Sequence, residues 1–207
     1  SDVYKRQDYN NDSWEDLWIN GGENRDMLYQ NNGDGSFSEI GFPNWLEDIA
    51  DIPTTAVVTG DINNDGFRDV FLTTREGHSN ILLRNNGDGS FSNISNNSIF
   101  ENDSTWCTTA AFADVNLDGC LDLFVGNYVA DVGFLYDSLT NEIYGYDHDC
   151  FSNLLYLNNG DETFTEVASI LEVDAQGCVL AATFTDFDGD ADCDLLVAND
   201  FGEWLIP

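Results

Sequence analysis

Hydrophobic residues in this chain fall in short runs, and the runs come in pairs. Leu17-Trp18-Ile19, Val70-Phe71-Leu72, Leu123-Phe124-Val125 and Leu195-Leu196-Val197 form one set. Ala56-Val57-Val58, Ala110-Ala111-Phe112 and Ala181-Ala182-Thr183-Phe184 form a second, each just ahead of a member of the first. Runs this short, rich in β-branched and aromatic residues, predict buried strands. A third pattern follows three of the pairs. Met27-Leu28-Tyr29-Gln30 leads into Asn31-Asn32-Gly33-Asp34-Gly35-Ser36-Phe37, Ile81-Leu82-Leu83-Arg84 into Asn85-Asn86-Gly87-Asp88-Gly89-Ser90-Phe91, and Leu154-Leu155-Tyr156-Leu157 into Asn158-Asn159-Gly160-Asp161-Glu162-Thr163-Phe164. Strand, Asn-Asn-Gly-Asp turn, strand predicts a β-hairpin.

The polar residues inside each pair are as regular as the apolar ones. Four nine-residue loops, 8–16, 61–69, 114–122 and 186–194, fit D-x-[DN]-x-D-x-x-x-D. Positions 1, 3, 5 and 9 are Asp8, Asn10, Asp12 and Asp16, then Asp61, Asn63, Asp65 and Asp69. In the third and fourth loops they are Asp114, Asn116, Asp118 and Asp122, and Asp186, Asp188, Asp190 and Asp194. The backbone carbonyl of position 7 (Trp14, Phe67, Cys120 or Asp192) can complete an oxygen shell. Carboxylates this close repel; each pair at about 4 Å costs about 4 kcal/mol at an effective dielectric of about 20. A divalent cation reverses that sign, and a shell of about 6–8 oxygens suits calcium before magnesium. The chain is therefore expected to bind up to four Ca2+ ions. Gly66 and Gly119 supply the glycine that position 6 favours for positive φ, whereas Ser13 and Ala191 do not. Loops two and three are the better matches. A polar turn rich in Asp and Asn is the alternative for any single copy, and four matching copies weigh against it. An EF-hand is excluded, because strand-like runs rather than helices flank each loop.

One strand before the loop, one after it and a hairpin make a four-stranded unit. Loops one and two, and two and three, are 53 residues apart (61 − 8 and 114 − 61); loops three and four are 72 apart (186 − 114). Four-stranded units at such a period predict the blades of an all-β propeller, with a calcium loop between first and second strands. The blades read as I (8–40, incomplete), II (54–95), III (107–168) and IV (178–207, incomplete). Blade III carries an insertion over 128–152. The chain thus reads as a partial propeller that needs further blades. Residues 1–7 read as an adapter-derived extension outside the fold, so that unit one lacks its first strand.

The loops, the hairpins and the segments Asp122-Leu-Phe-Val-Gly-Asn-Tyr-Val129 and Asp194-Leu-Leu-Val-Ala-Asn-Asp200 resemble the FG-GAP/VCBS repeats of integrin-alpha-like β-propellers. They are most similar to the ASPIC/UnbV group, which includes cartilage acidic protein. The extension after Asn127-Tyr128-Val129 also looks like that group. The resemblance implies a secreted, extracellular or cell-surface protein. It implies calcium-dependent structure and a role in adhesion, recognition or scaffolding.

Composition narrows the partners. The formal net charge is −33, from 39 acidic and 6 basic residues. Four calcium ions would bring it only to −25 (−33 + 8), so nucleic acid and anionic membranes should be repelled. No apolar run is long enough for a transmembrane helix. A hydrophobic fraction of 42% with 13% aromatic residues argues against disorder. The cysteines are Cys107, Cys120, Cys150, Cys178 and Cys193. Repeat-equivalent pairs, Cys107 with Cys178 and Cys120 with Cys193, could bridge in an oxidising compartment, leaving Cys150 unpaired. The other reading is five small buried hydrophobes.

Two function classes fit. The first is a non-catalytic calcium-binding propeller that recognises a protein or glycan. The second is the propeller portion of a secreted enzyme acting on polysaccharide or phosphoester substrates. Catalysis wants a nucleophile–base pair, and the chain offers only His78 and His148, the latter near Cys150. The first class is favoured. The insertion interleaves aromatics with acids, and Tyr136, Tyr144 and Tyr146 are its candidate partner contacts; the alternative is a lid packed on its own blade.

Overall fold

A computed structural model describes residues 4–21, 25–41, 43–75, 77–97, 100 and 105–200. The fold is all-β with antiparallel sheets. The first sheet is β1 (Tyr4–Gln7), β2 (Asp16–Ile19), β3 (Met27–Asn31) and β4 (Phe37–Gly41) in sequential order. The second is β5 (Thr54–Gly60), β6 (Asp69–Thr74), β7 (Ile81–Asn85) and β8 (Phe91–Asn93). In the third, β9 (Cys107–Ala113) and β10 (Asp122–Asn127) pair, then β13 (Leu154–Asn158) and β14 (Phe164–Glu166). The insertion forms its own hairpin, β11 (Val129–Tyr136) with β12 (Ile143–Cys150). The last pair is β15 (Val179–Thr185) and β16 (Asp194–Asn199). Each acidic loop joins the first and second strands of its unit, and each Asn-Asn-Gly-Asp turn joins the third and fourth.

Residues 4–7, set aside on the sequence as foreign to the fold, fill the place of the first strand of unit one. They pair with β2 from Tyr4↔Ile19 to Gln7↔Asp16. The ladder uses backbone groups that every non-proline residue carries, so an edge position accepts an extended segment of any composition. A short 3-10 helix over Asn44–Ile49, not expected from the sequence, follows β4 and adds Leu46 and Ile49 to the core.

Side chains alternate across each strand, so successive residues serve different cores. Val70 and Leu72 pack with Trp18, Leu28, Leu83 and Phe91 of units one and two. Phe71, between them, packs with Leu82, Phe100, Leu123 and Tyr156 toward unit three. Phe124 and Leu155 turn the other way, onto Val179 and Val197 of unit four. This is face-to-face stacking of successive sheets. Two equivalent threonines lock it: Thr55 Oγ1 donates to Cys107 O, and Thr108 Oγ1 to Val179 O. No closed ring of sheets forms among the described residues, and the arrangement is consistent with a β-propeller fragment.

The cysteines correct the expected pairing. Cys150 bonds to Cys178, while Cys107, Cys120 and Cys193 remain thiols. An antiparallel bridge between Ser152 and Gln176 aligns the two segments, so residues two positions outward, 150 and 178, face one another. Repeat equivalence misleads because equivalent cysteines stay in their own sheets. Cys107 is buried against the Asn80 and Asn127 side chains, and Cys120 lies beside Gly160 of its own hairpin.

Candidate metal loops

All four loops share one backbone path. Position 6 has positive φ in each: 73° at Ser13, 90° at Gly66 and Gly119, 77° at Ala191. Position 4 does too, at Asn11, Asn64, Leu117 and Gly189. Lacking glycine at position 6, loops one and four still adopt the same turn, at a strain cost of about 1–2 kcal/mol for each side-chain-bearing residue. The sequence reading missed position 4 entirely.

The side-chain oxygens hold that path. In loop two, Asp61 accepts from the N–H groups of Asp65 (3.1 Å) and Gly66 (2.9 Å). Asn63 Oδ1 accepts from Asp65 N–H (3.1 Å), and Asp65 Oδ1 from Phe67 N–H (2.8 Å). Loops one and three repeat this set through Asp8, Asn10 and Asp12, and through Asp114, Asn116 and Asp118. Loop four keeps most of it through Asp186, Asp188 and Asp190, except that one Asp186 oxygen accepts from the N–H of Gly189 (2.7 Å) rather than from that of position 5.

Position 9 does different work. Asp69 is fully buried; its two oxygens accept from Ile62 N–H (3.0 Å) and Asn85 N–H (2.8 Å). Asp16 and Asp122 make the equivalent pairs to Tyr9 and Asn31, and to Val115 and Asn158. Among the described residues Asp194 makes only the loop contact, to Phe187 N–H (2.8 Å). The position-9 carboxylate therefore clamps the loop to the following hairpin. Burial pushes the Asp69 carboxyl up to about 6 despite the two N–H donors, and the neighbouring Asp65 and Asp61 push the same way. Burial likewise raises Asp16 and Asp122.

The structure also shows partners that sequence reasoning missed. The first Asn of each hairpin turn is a hub. Asn158 Nδ2 donates to Leu121 O in its own unit and to Ile62 O in loop two (2.8 Å). Asn85 spans from Arg68 O to Tyr9 O in loop one in the same way. The turn glycine leaves room for position 7: a Cβ on Gly33 would lie 2.8 Å from the Trp14 ring, and one on Gly87 2.6 Å from the Phe67 ring. The Asn-Asn-Gly spacing signals a turn, but nothing in it says that the turn also cradles a loop.

The donor set fits a hard cation. Each carboxylate has more lone-pair sites than it has N–H partners. The described ion pairs of Arg25 and Arg84 go to Glu47, Asp51 and Glu162, none of them a loop residue. In loop four, ligand oxygens of Asp186, Asp188 and Asp194 all lie within 4.8 Å of one another. Tyr136 is exposed on the insertion hairpin, as are Phe134, Leu139 and Ile143. The Tyr144 and Tyr146 side chains, and that of His148, lie outside the described residues.

The repeated sheet, loop and hairpin define a β-propeller-like repeat protein. Residues 8–72 and 61–125 each match the FG-GAP-like repeat, together more than half of the chain, and the chain belongs to the FG-GAP-like repeat family. Each match runs from one acidic loop to the strand after the next, and the two matches start 53 residues apart (61 − 8), the spacing of the loops. Domains of this family often serve binding or recognition. No curated protein matches the chain. Among the described residues no helix is long and apolar enough to cross a membrane.

Proposed function

We propose that this chain is part of an extracellular β-propeller of four-stranded blades, of the ASPIC/UnbV type, whose loops bind calcium and whose role is recognition rather than catalysis. One observation carries the calcium reading. Four loops of different sequence hold Asp and Asn oxygens at the same positions on the same turn, and the described ion pairs of Arg25 and Arg84 go elsewhere. Calcium supplies the missing charge and ties together the two strands that each loop joins. Its binding energy then adds to folding stability. The Cys150–Cys178 disulfide supports an oxidising compartment. The hairpin β11–β12 supports recognition of a protein or glycan, because Phe134, Tyr136, Leu139 and Ile143 stand exposed on it.

Calcium titration calorimetry in chelator-treated buffer tests the reading. Binding heat should appear and shrink in Asp65→Ala, and the melting temperature should rise with calcium more than with magnesium. An absence of heat together with an unchanged melting curve would overturn it. Replacing residues 128–152 with the short connection of unit two should abolish ligand capture and spare calcium-dependent melting. Loss of folding would instead make the hairpin a structural lid.

A further inference from the structure

Loop two differs from its neighbours in one hydrogen bond. In loop one the Asn10 amide donates to Asp12 Oδ2 (3.0 Å), and in loop three the Asn116 amide donates to Asp118 Oδ2 (2.8 Å). In both, the position-3 side chain ties up an oxygen of the position-5 carboxylate. In loop two the Asn63 amide turns instead to Glu162 Oε1, at 3.3 Å. Asp65 keeps the Phe67 N–H on Oδ1 and has no side-chain donor among the described residues.

Glu162 belongs to the next unit. It lies in the β13–β14 turn, where units one and two have Gly35 and Gly89, and it takes the same positive φ, 66° against 89° and 84°. A side chain there is strained, so its presence calls for a reason. Its carboxylate is held from the other side by Arg84 Nη1, at 3.3 Å from both oxygens. Arg84 is itself unique to unit two, with Gln30 and Leu157 at the matching places. The placement recurs one unit earlier: a Cβ on Gly89 would lie 3.8 Å from Asn10 Cβ. The turns of units two and three thus face position 3 of the preceding loop, and of the two only unit three puts a side chain there.

We propose that Glu162 is a positioning residue for loop two. Braced by Arg84, it draws the Asn63 amide away from Asp65, so the Asn63 and Asp65 oxygens are preset for a cation. Loop two becomes the tightest calcium site, with an affinity set by the neighbouring unit. This rests on the calcium reading above. Outer contacts that orient metal ligands are typically worth about 10–100-fold in affinity.

Calcium calorimetry on the full chain tests it with three variants. Glu162→Gly installs the residue of the sister turns and should fold normally; it should weaken the tightest site about tenfold. Glu162→Gln retains an oxygen for the Asn63 amide and should restore most of that affinity. In an Asp61→Ala background, which disables loop two, Glu162→Gly should change nothing further. Calcium binding by the parent chain with no change in Glu162→Gly overturns the inference and leaves the calcium reading standing. Equal weakening by Gly and Gln also overturns it, since bulk charge would then be the cause. No binding by the parent chain refutes the calcium reading itself.

Discussion

Units two and four carry the same strand–loop–strand pattern and live in different surroundings. Position by position, Val70-Phe71-Leu72 of β6 corresponds to Leu195-Leu196-Val197 of β16, one residue after the last Asp of each loop. The loops match in the positive-φ positions of the backbone and in most of their internal hydrogen bonds. The strands do not match in burial. Every residue of β6 is buried, and Phe71 is 0% exposed, whereas Leu196 is 45% exposed. Unit four is half covered: Val179 and Val197 pack on unit three, while Leu180 and Leu196 face the other way. Unit two is sandwiched between units one and three, so both of its faces count. The loop is a local structure that each nine-residue segment builds for itself. The core is a property of adjacent sheets, and the stability that a residue contributes depends on what lies across the sheet from it.

The largest test of that contrast is truncation at the matched site. Phe71→Ala should cost about 3–5 kcal/mol in urea unfolding, and Leu196→Ala about 0.5 kcal/mol or less. Similar losses would mean that the two faces are equally buried in solution. Next comes the covalent tie. Cys150→Ser with Cys178→Ser removes a link across 28 residues, for which loop-closure entropy gives about 3–4 kcal/mol. Hydrogen exchange should accelerate in β15 and β16 and stay slow in β5 and β6, because unit two relies on packing alone. Uniform acceleration would show that the units unfold as one.

The position-9 clamp gives a smaller effect. In chelator, Asp69→Asn turns one amide donor toward a backbone N–H and should cost about 1–3 kcal/mol. Asp194→Asn retains an oxygen for Phe187 N–H and should stay within about 0.5 kcal/mol. Equal effects would place a second, undescribed clamp on loop four. The smallest change is at position 6. Ala191→Gly should stabilise loop four by about 1 kcal/mol, and Gly66→Ala should destabilise loop two by a similar amount. No atom lies within 4 Å of the Cβ that would be added at Gly66, so backbone strain is the sole cost there. Thermal melting of the two variants reads both signs.

What the sequence by itself determined was local and repeated. The loops, the Asn-Asn-Gly-Asp hairpins, the paired strands and the period all follow from turn chemistry and alternation within about ten residues, and each was legible because several copies agree. Tertiary structure decided the rest. It seated Tyr4–Gln7 as a strand, since an edge ladder reads backbone rather than side chains. It chose Cys150 for Cys178, since the insertion delivers one beside the other while repeat-equivalent cysteines stay in separate sheets. It made Asn85 and Asn158 bridges between units and set Glu162 against loop two, contacts 99 residues apart in the case of Asn63 and Glu162. Periodicity assigns residues to a face of a strand. Only the stacking of sheets says what that face meets.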